Sequence, residues 1–266
     1  MPTVSSNGIE MHYEIHGEGK PLICIMGITA PGEVWEEHVK VWSQHYQCIT
    51  PDNRGVGLSD KPEGEYSSAM MADDYAGLMD ALGIEKASVV GCSMGSIIAQ
   101  ELALRHPEKV EKLVLMCSWA RCDAYAKSIF SHLEVLKEKV SAAEFMEYIQ
   151  LLIFHKRSWD DDETLQSLVK GRQEALEDEN PQPLHGLRGQ AAACVNHNTI
   201  EQLVDIKAAC LVIGGEADCF TPRWMADEIH AALPNSNLHL YPESGHAFHW
   251  ENLTDFNQRV LDFVGA

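Results

Sequence analysis

The stretch SVVGCSMGSIIAQELA, residues 88–103, sets Ser93 between Gly91 and Gly95 where a β-branched run passes into a helix-like pattern. The ASVV segment that leads in is continuously apolar, as a buried strand would be. SIIAQELALRHP, which leads out, repeats apolar residues at three and four spacing, as an amphipathic helix would. In G-x-S-x-G at such a junction, the glycines remove side chains that would collide with the strand and the helix. This elbow lifts the serine hydroxyl into the cleft at the strand end and aims a helix N-terminus at it, where developing negative charge is favoured. A serine in an ordinary tight turn is the competing reading, and the strand before with the helix after favours a nucleophile.

Outward from this turn the chain alternates. GIEMHYEIHG has period two and ends at Gly17, as a half-exposed antiparallel strand does, while PLICIMG, YQCITPD, ASVVGCS, KLVLMCS, ACLVIGG and NLHLYPE are short apolar runs bounded by turn residues. WEEHVKVWSQH, SAMMADDYAGLMDALG, SIIAQELALRHP, PRWMADEIHAALP and DFNQRVLDFVG read as helices, several of which stop at Gly or before Pro. Continuous apolar strands between helices predict an α/β fold, a mostly parallel central sheet covered by helices on both faces. From Trp119 to His197 the rhythm breaks into helical pattern alone. The expected organisation is a core of residues 1–118 and 198–266 with a helical cap, 119–197, laid over the strand ends where open α/β sheets bind ligands. The acidic stretches WDDDE (159–163) and EALEDENP (174–181) read as solvated helix starts and ends.

With 266 residues and 45% hydrophobic content, the chain is long enough for one large core. It shows no 20- to 50-residue repeat, no secretory leader and no apolar run long enough to cross a bilayer, so a cytoplasmic protein is expected. The eight cysteines are scattered, several within apolar runs, without CxxC or zinc spacing; buried reduced thiols are expected, with no metal and no cofactor. Twenty basic residues against 40 acidic ones give a formal charge of -20, a field that disfavours nucleic acid and anionic membrane as partners and leaves a small-molecule substrate.

A serine hydroxyl needs a base near neutral pH, and the base needs a group that fixes its tautomer. Of 13 histidines, His246 lies straight after Gly245 in YPESGHAFHWE, between the last strand and the terminal helix. His249 is its rival, at the start of that helix. His106 and His230 fall at helix ends, where a dipole contact explains them, and His12 and His16 belong to the N-terminal strand and its turn. For the acid, CLVIGGEADCFTP offers Asp218 in the loop after a strand, with Glu216 as the nearby alternative. The order Ser93, Asp218, His246 is that of a hydrolase built on this architecture.

The chain resembles the α/β-hydrolase superfamily over nearly its whole length. The resemblance rests on the turn IMGITAPGEVW, the loop PDNRGVGLSDKP, the elbow GCSMGS, the acid loop GGEADCFTP and the histidine loop SGHAFHWEN. Within the superfamily it is most similar to the 3-oxoadipate enol-lactonase and aminoacrylate hydrolase type, including the cap entry LVLMCSWAR. The resemblance implies an oxyanion hole from the backbone N–H groups of Ile28 and Met94, although Met26-Gly27 replaces the usual His-Gly. It implies a serine esterase or lactonase with a Ser-His-Asp catalytic triad, enol-lactone-like acids being favoured. Carbon–carbon cleavage, amide or enamine hydrolysis and cofactor-free perhydrolysis are alternatives on the same triad, and a ligand sensor of the same fold is a non-enzymatic one. Trp119, Phe130, His132, Phe154 and Trp159 are possible pocket walls or ordinary core. Arg121 is a possible partner of a substrate carboxylate or a surface ion pair. Asp52 and Arg54 of the DNRG loop read as braces for neighbouring loops.

Overall fold

In the computed structural model, which describes residues 2–266, the chain begins with a strand that periodicity did not predict. β1 (Thr3–Ser6) pairs antiparallel with β2 (Ile9–His16) across Asn7-Gly8, whose φ values are 45° and 80°. TVSS has one large apolar residue, too few to show a period. The Asn-Gly pair was the available signal, since two-residue hairpin loops need positive φ at both positions. The order continues β3 (Pro21–Ile25), α1 (Glu36–Trp42), β4 (Gln47–Pro51), α2 (Ser68–Ala81), β5 (Ala87–Cys92), α3 (Met94–Arg105) and β6 (Val110–Met116). Five helices then intervene: α4 (Ala124–Lys139), α5 (Ala142–Ile153), α6 (Lys156–Trp159), α7 (Asp162–Glu177) and α8 (Leu184–Asn196). The chain closes with β7 (Ala209–Gly215), α9 (Arg223–Ala232), β8 (Ser236–Tyr241), α10 (Phe248–Glu251) and α11 (Leu253–Gly265).

The sheet order is β1-β2-β4-β3-β5-β6-β7-β8, parallel from β4 to β8 and antiparallel only at the β1 and β2 edge. β5 is buried at every position, which is why its sequence shows no alternation, while β2, next to the edge strand β1, alternates over its first residues. One apolar cluster joins α2, α3 and α9 to one face of the sheet, and a second, around Trp35, Trp42, Phe256 and Val260, joins α1 and α11 to the other. Burying each such side chain stabilises the fold by roughly 1.5–3 kcal/mol. β3 has β4 on one side and β5 on the other, so the loops after β3 and β5 diverge and open a crevice at the strand ends.

The α4–α8 excursion leaves and re-enters through a narrow neck, where Arg121 bridges Asn198 and the Thr199 N–H donates to the Ala120 carbonyl at 2.8 Å. It rests on loops that follow strand ends. The Ala247 N–H donates to Ile153 O at 2.8 Å, and the His155 N–H to Glu251 Oε1 at 2.7 Å. Asp161 caps α7 by accepting from the Thr164 N–H. Among the described residues no helix is long and apolar enough to cross a membrane.

Candidate active site

The turn between β5 and α3 is strained at one residue, Ser93, with φ 53° and ψ -118°. A non-glycine residue there costs on the order of 1–3 kcal/mol and persists only where its surroundings over-determine it. The surroundings do so. A side chain at Gly91 would run into the Gly95 carbonyl, and one at Gly95 into the carbonyls of Ile25 and Met26. The Ser93 N–H donates to Met116 O at 3.0 Å, and its carbonyl accepts from the Ser96 N–H at 2.8 Å and from Ser96 Oγ. Ser96 Oγ and Gln100 Nε2 both reach Ser118 Oγ, so a buried polar net underlies the elbow.

The turn after β3 packs against this serine, Gly27 lying beside it. Met26, where the superfamily commonly has histidine, puts its side chain into the apolar cluster of Trp35 and Val39, and its carbonyl accepts from Asn53 Nδ2 at 2.9 Å. Asp52 takes the Gly32 N–H at 2.6 Å, the Leu58 N–H at 2.8 Å and His12 Nδ1 at 3.0 Å. Arg54 is ion-paired to Asp74 at the side of the same loop. Hence the backbone of this turn is held by Asn53 and Asp52, in place of an imidazole. The N–H groups of Ile28 and Met94 donate to no backbone or side-chain acceptor among the described residues, leaving them available to a ligand.

Asp218 and His246 are brought together from the loops after β7 and β8, with His246 Nδ1 2.8 Å from Asp218 Oδ2. Asp218 Oδ1 accepts from the Phe220 and Thr221 N–H groups at 2.8 and 2.9 Å, and Thr221 Oγ1 donates to Oδ2 at 2.7 Å. Three donors thus fix a buried carboxylate that points at the imidazole. Burial pulls the His246 pKa down, but the Asp218 charge and hydrogen bond outweigh it and leave the pKa raised above the ordinary histidine value. Glu216, the alternative acid, lies at the surface against Arg223. Phe220 and Thr221 escaped the sequence reading, although an Asp followed by Thr three residues on is a side-chain-to-backbone turn signal.

Around His246 the rings run Phe220 (5.2 Å between centroids), then Phe130 (5.2 Å from Phe220), then Trp119 (6.0 Å from Phe130). Two of the expected pocket walls therefore line up with the imidazole. The others do not. Arg121 is 58% exposed at its side chain and paired to Glu228 at 2.7 Å, because in so acidic a chain a surface carboxylate is close at hand. His132 is exposed on the outer face of α4 against Tyr148, and Trp159 lies under the Arg172 guanidinium. Phe154 stacks on Trp250, behind the histidine loop.

His249, the rival base, is buried in a second polar cluster. Its Nδ1 lies 2.8 Å from His38 Nε2, and His38 Nδ1 lies 2.7 Å from Asn257 Oδ1. Burial, then the charges of His38 and His246, hold the His249 pKa well below the usual value, and burial brings His38 down to about 4. The remaining two pairs sit elsewhere: His106 on Asp73 and His230 on Ser236.

A serine on a strained strand-to-helix turn, a carboxylate-held imidazole and two free N–H groups at the ends of parallel strands define the class of enzymes that act through an α/β scaffold. The chain belongs to the α/β hydrolase fold family, whose model matches residues 20–253. It is 28% identical, over 100% of its length and 98% of the relative's, to a protein of Azorhizobium caulinodans named for carbamate hydrolysis, RutD. It is 32% identical to BpoC of Mycobacterium tuberculosis strain H37Rv, named as a non-heme bromoperoxidase, over 97% of this chain and 98% of that one. In fold it is similar to the enol-lactonase from Burkholderia xenovorans LB400, with a TM-score of 0.90, 23% identity and full coverage of both chains.

Proposed function

We propose that the protein is a metal-free serine hydrolase that cleaves a small-molecule ester or lactone through an acyl-enzyme on Ser93. The observation that carries this reading is the buried His246–Asp218 pair, 2.8 Å apart, at the same strand ends as the strained serine. In this reading His246 accepts the Ser93 proton as Oγ attacks the acyl carbon, and Asp218 stabilises the imidazolium that results. The N–H groups of Ile28 and Met94 hold the oxyanion, a contribution worth about 100- to 1000-fold in rate per donor. His246 then protonates the leaving oxygen; next it takes a proton from water, whose attack on the acyl carbon releases the acid and restores Ser93.

Residues 119–197 act as the cap, and Trp119, Phe130 and Phe220 form the apolar wall of the acyl site. Ser93 and His246 are 5% and 6% exposed under that cover, which suits a small substrate and not a polymer. In this reading the protein acts in the cytoplasm on a small molecule, and its formal charge of -20 disfavours nucleic acid and anionic membrane as partners.

The test is labelling with a fluorophosphonate, read by intact mass and peptide mapping, beside turnover of p-nitrophenyl acetate. One label on the peptide that contains Ser93, with ester hydrolysis that Ser93→Ala abolishes, is the expected result. Hydrolysis that survives Ser93→Ala would sink the mechanism.

A further inference from the structure

We propose that Gln190, on cap helix α8, is a positioning residue for the oxyanion turn, acting through its hydrogen bond to the Thr29 N–H. The inference rests on the serine-hydrolase reading above and extends it. The turn from Met26 to Gly32 is held at three backbone points. Two come from the core loop after β4: Asn53 Nδ2 on Met26 O and Asp52 Oδ1 on Gly32 N–H. The third comes from the cap, where Gln190 Oε1 accepts from the Thr29 N–H at 3.0 Å.

Thr29 is where a clamp is needed. Its φ is 69°, a left-handed conformation that a β-branched residue adopts only under constraint. The peptide that carries the Thr29 N–H directly follows Ile28, so fixing that plane fixes the backbone beside the Ile28 N–H. Gln190 is itself wholly buried and engaged at both ends of its amide: Oε1 also accepts from Gln182 Nε2 at 2.9 Å, and Nε2 donates to Arg54 O at 2.9 Å. A buried amide bonded through both its oxygen and its nitrogen has one favoured orientation. Gln182 in turn donates to Gly55 O at 3.1 Å, which docks the cap on the core loop without touching the turn.

Three variants separate clamping from docking, assayed with p-nitrophenyl acetate and with a trifluoromethyl ketone whose tetrahedral adduct on Ser93 bears an oxyanion. Gln190→Met keeps volume and removes the acceptor; its kcat is expected to fall about 10- to 100-fold with KM within about threefold, and ketone inhibition to weaken in parallel with kcat/KM. Gln190→Glu keeps the acceptor for the Thr29 N–H but loses the donor to Arg54 O, and is expected to recover part of that loss. Gln182→Met is expected to stay within about threefold of the parent. A parental kcat in Gln190→Met, or an equal fall in Gln182→Met, overturns the assignment while leaving Ser93 chemistry intact. Amide hydrogen exchange on the parent chain does not depend on any variant folding: the Thr29 N–H is expected to be protected, and free exchange there overturns the clamp. A parent chain that neither labels at Ser93 nor turns over the ester overturns the hydrolase reading, and this assignment with it.

Discussion

His246 and His249 stand three residues apart, both buried, both with Nδ1 hydrogen-bonded, and the protein drives them in opposite electrical directions. His246 faces a carboxylate and has its pKa raised; His249 faces a second imidazole, itself tied to a neutral amide, and has its pKa lowered. Burial is common to both and acts the same way on both, so the partner decides. The sequence neighbourhood also differs in what it reaches. His246 precedes the short helix α10 and lies in the loop above the strand ends. His249 is inside that helix, turned back toward α1 and α11, with Cys92 Sγ 4.0 Å from its Nε2. A base needs an ionic partner that favours its charged form, and of these two histidines His246 has one.

The sharpest way to break this comparison is to remove each imidazole in turn. His246→Ala is expected to lower ester kcat by about 10^5- to 10^6-fold, since serine and base act as one unit. His249→Ala is expected to keep kcat within about tenfold and to lose on the order of 2–4 kcal/mol of stability through the cavity and the unpaired His38. Equal kinetic losses, measured on variants shown to be folded by cooperative melting, would remove the distinction. Next in size is Asp218→Asn. It keeps the shape of the pair but lets Nδ1 accept instead of donate, which mis-sets the tautomer, and a loss of about 10^4-fold in kcat is expected. A rate near that of the parent would assign the acid role to another residue.

Much of this contrast was legible in the chain. Ser93, Asp218 and His246 are each local: a turn of fixed composition after the apolar strand β5, an Asp in the loop after β7, a Gly-His pair in the loop after β8. So were the continuous apolar strands that only a two-sided sheet can bury. What eluded the reading is set by contacts across long stretches of chain. Nothing near Gln190 points to Thr29, 161 residues away, and nothing in WEEHVKVW points to His38 as the neighbour of His249. Arg121 misleads for a related reason, because a cation near a cap entry looks like a carboxylate receptor until Glu228 of α9 is seen beside it. β1 escaped although its signal, Asn7-Gly8, was in plain view.

The two histidine sites also predict opposite responses to pH. His246 must be neutral to act as base, so kcat/KM is expected to rise with pH through its raised folded pKa. Its contribution to stability has the reverse sense: the charged form is favoured in the fold, so that stability is full below the unfolded value of about 6.5 and is lost as pH rises through the folded pKa. His38 is held neutral, with its pKa lowered to about 4. Its contribution is full above about 6.5 and is lost as pH falls toward 4, on the order of 3 kcal/mol in all. Urea unfolding at pH 7.5 and 4.5 is expected to show that acid loss. An unchanged midpoint would contradict the assigned state of His38.

The smallest kinetic effect is expected from the change that most directly tests the partner argument, Asn257→Asp. The substitution keeps an oxygen facing His38 Nδ1, now 2.7 Å away as an amide, and makes it a carboxylate. If the partner sets the electrical state, His38 should titrate well above 4 in the variant, followed by ring-proton NMR, and the acid loss of stability should shrink because the imidazolium now has a counter-charge in the fold. Ester turnover should change by less than about threefold, for the new pair imitates His246–Asp218 in chemistry but lies between α1 and α11, where no serine elbow and no free N–H groups meet it. A His38 that still titrates near 4 would mean that desolvation, common to both sites, outweighs the partner. The raised pKa of His246 would then have to come from the three donors of Phe220 and Thr221 that fix Asp218 as an anion, and the contrast between the two histidines would lie in the preparation of the carboxylate before it lies in the carboxylate itself.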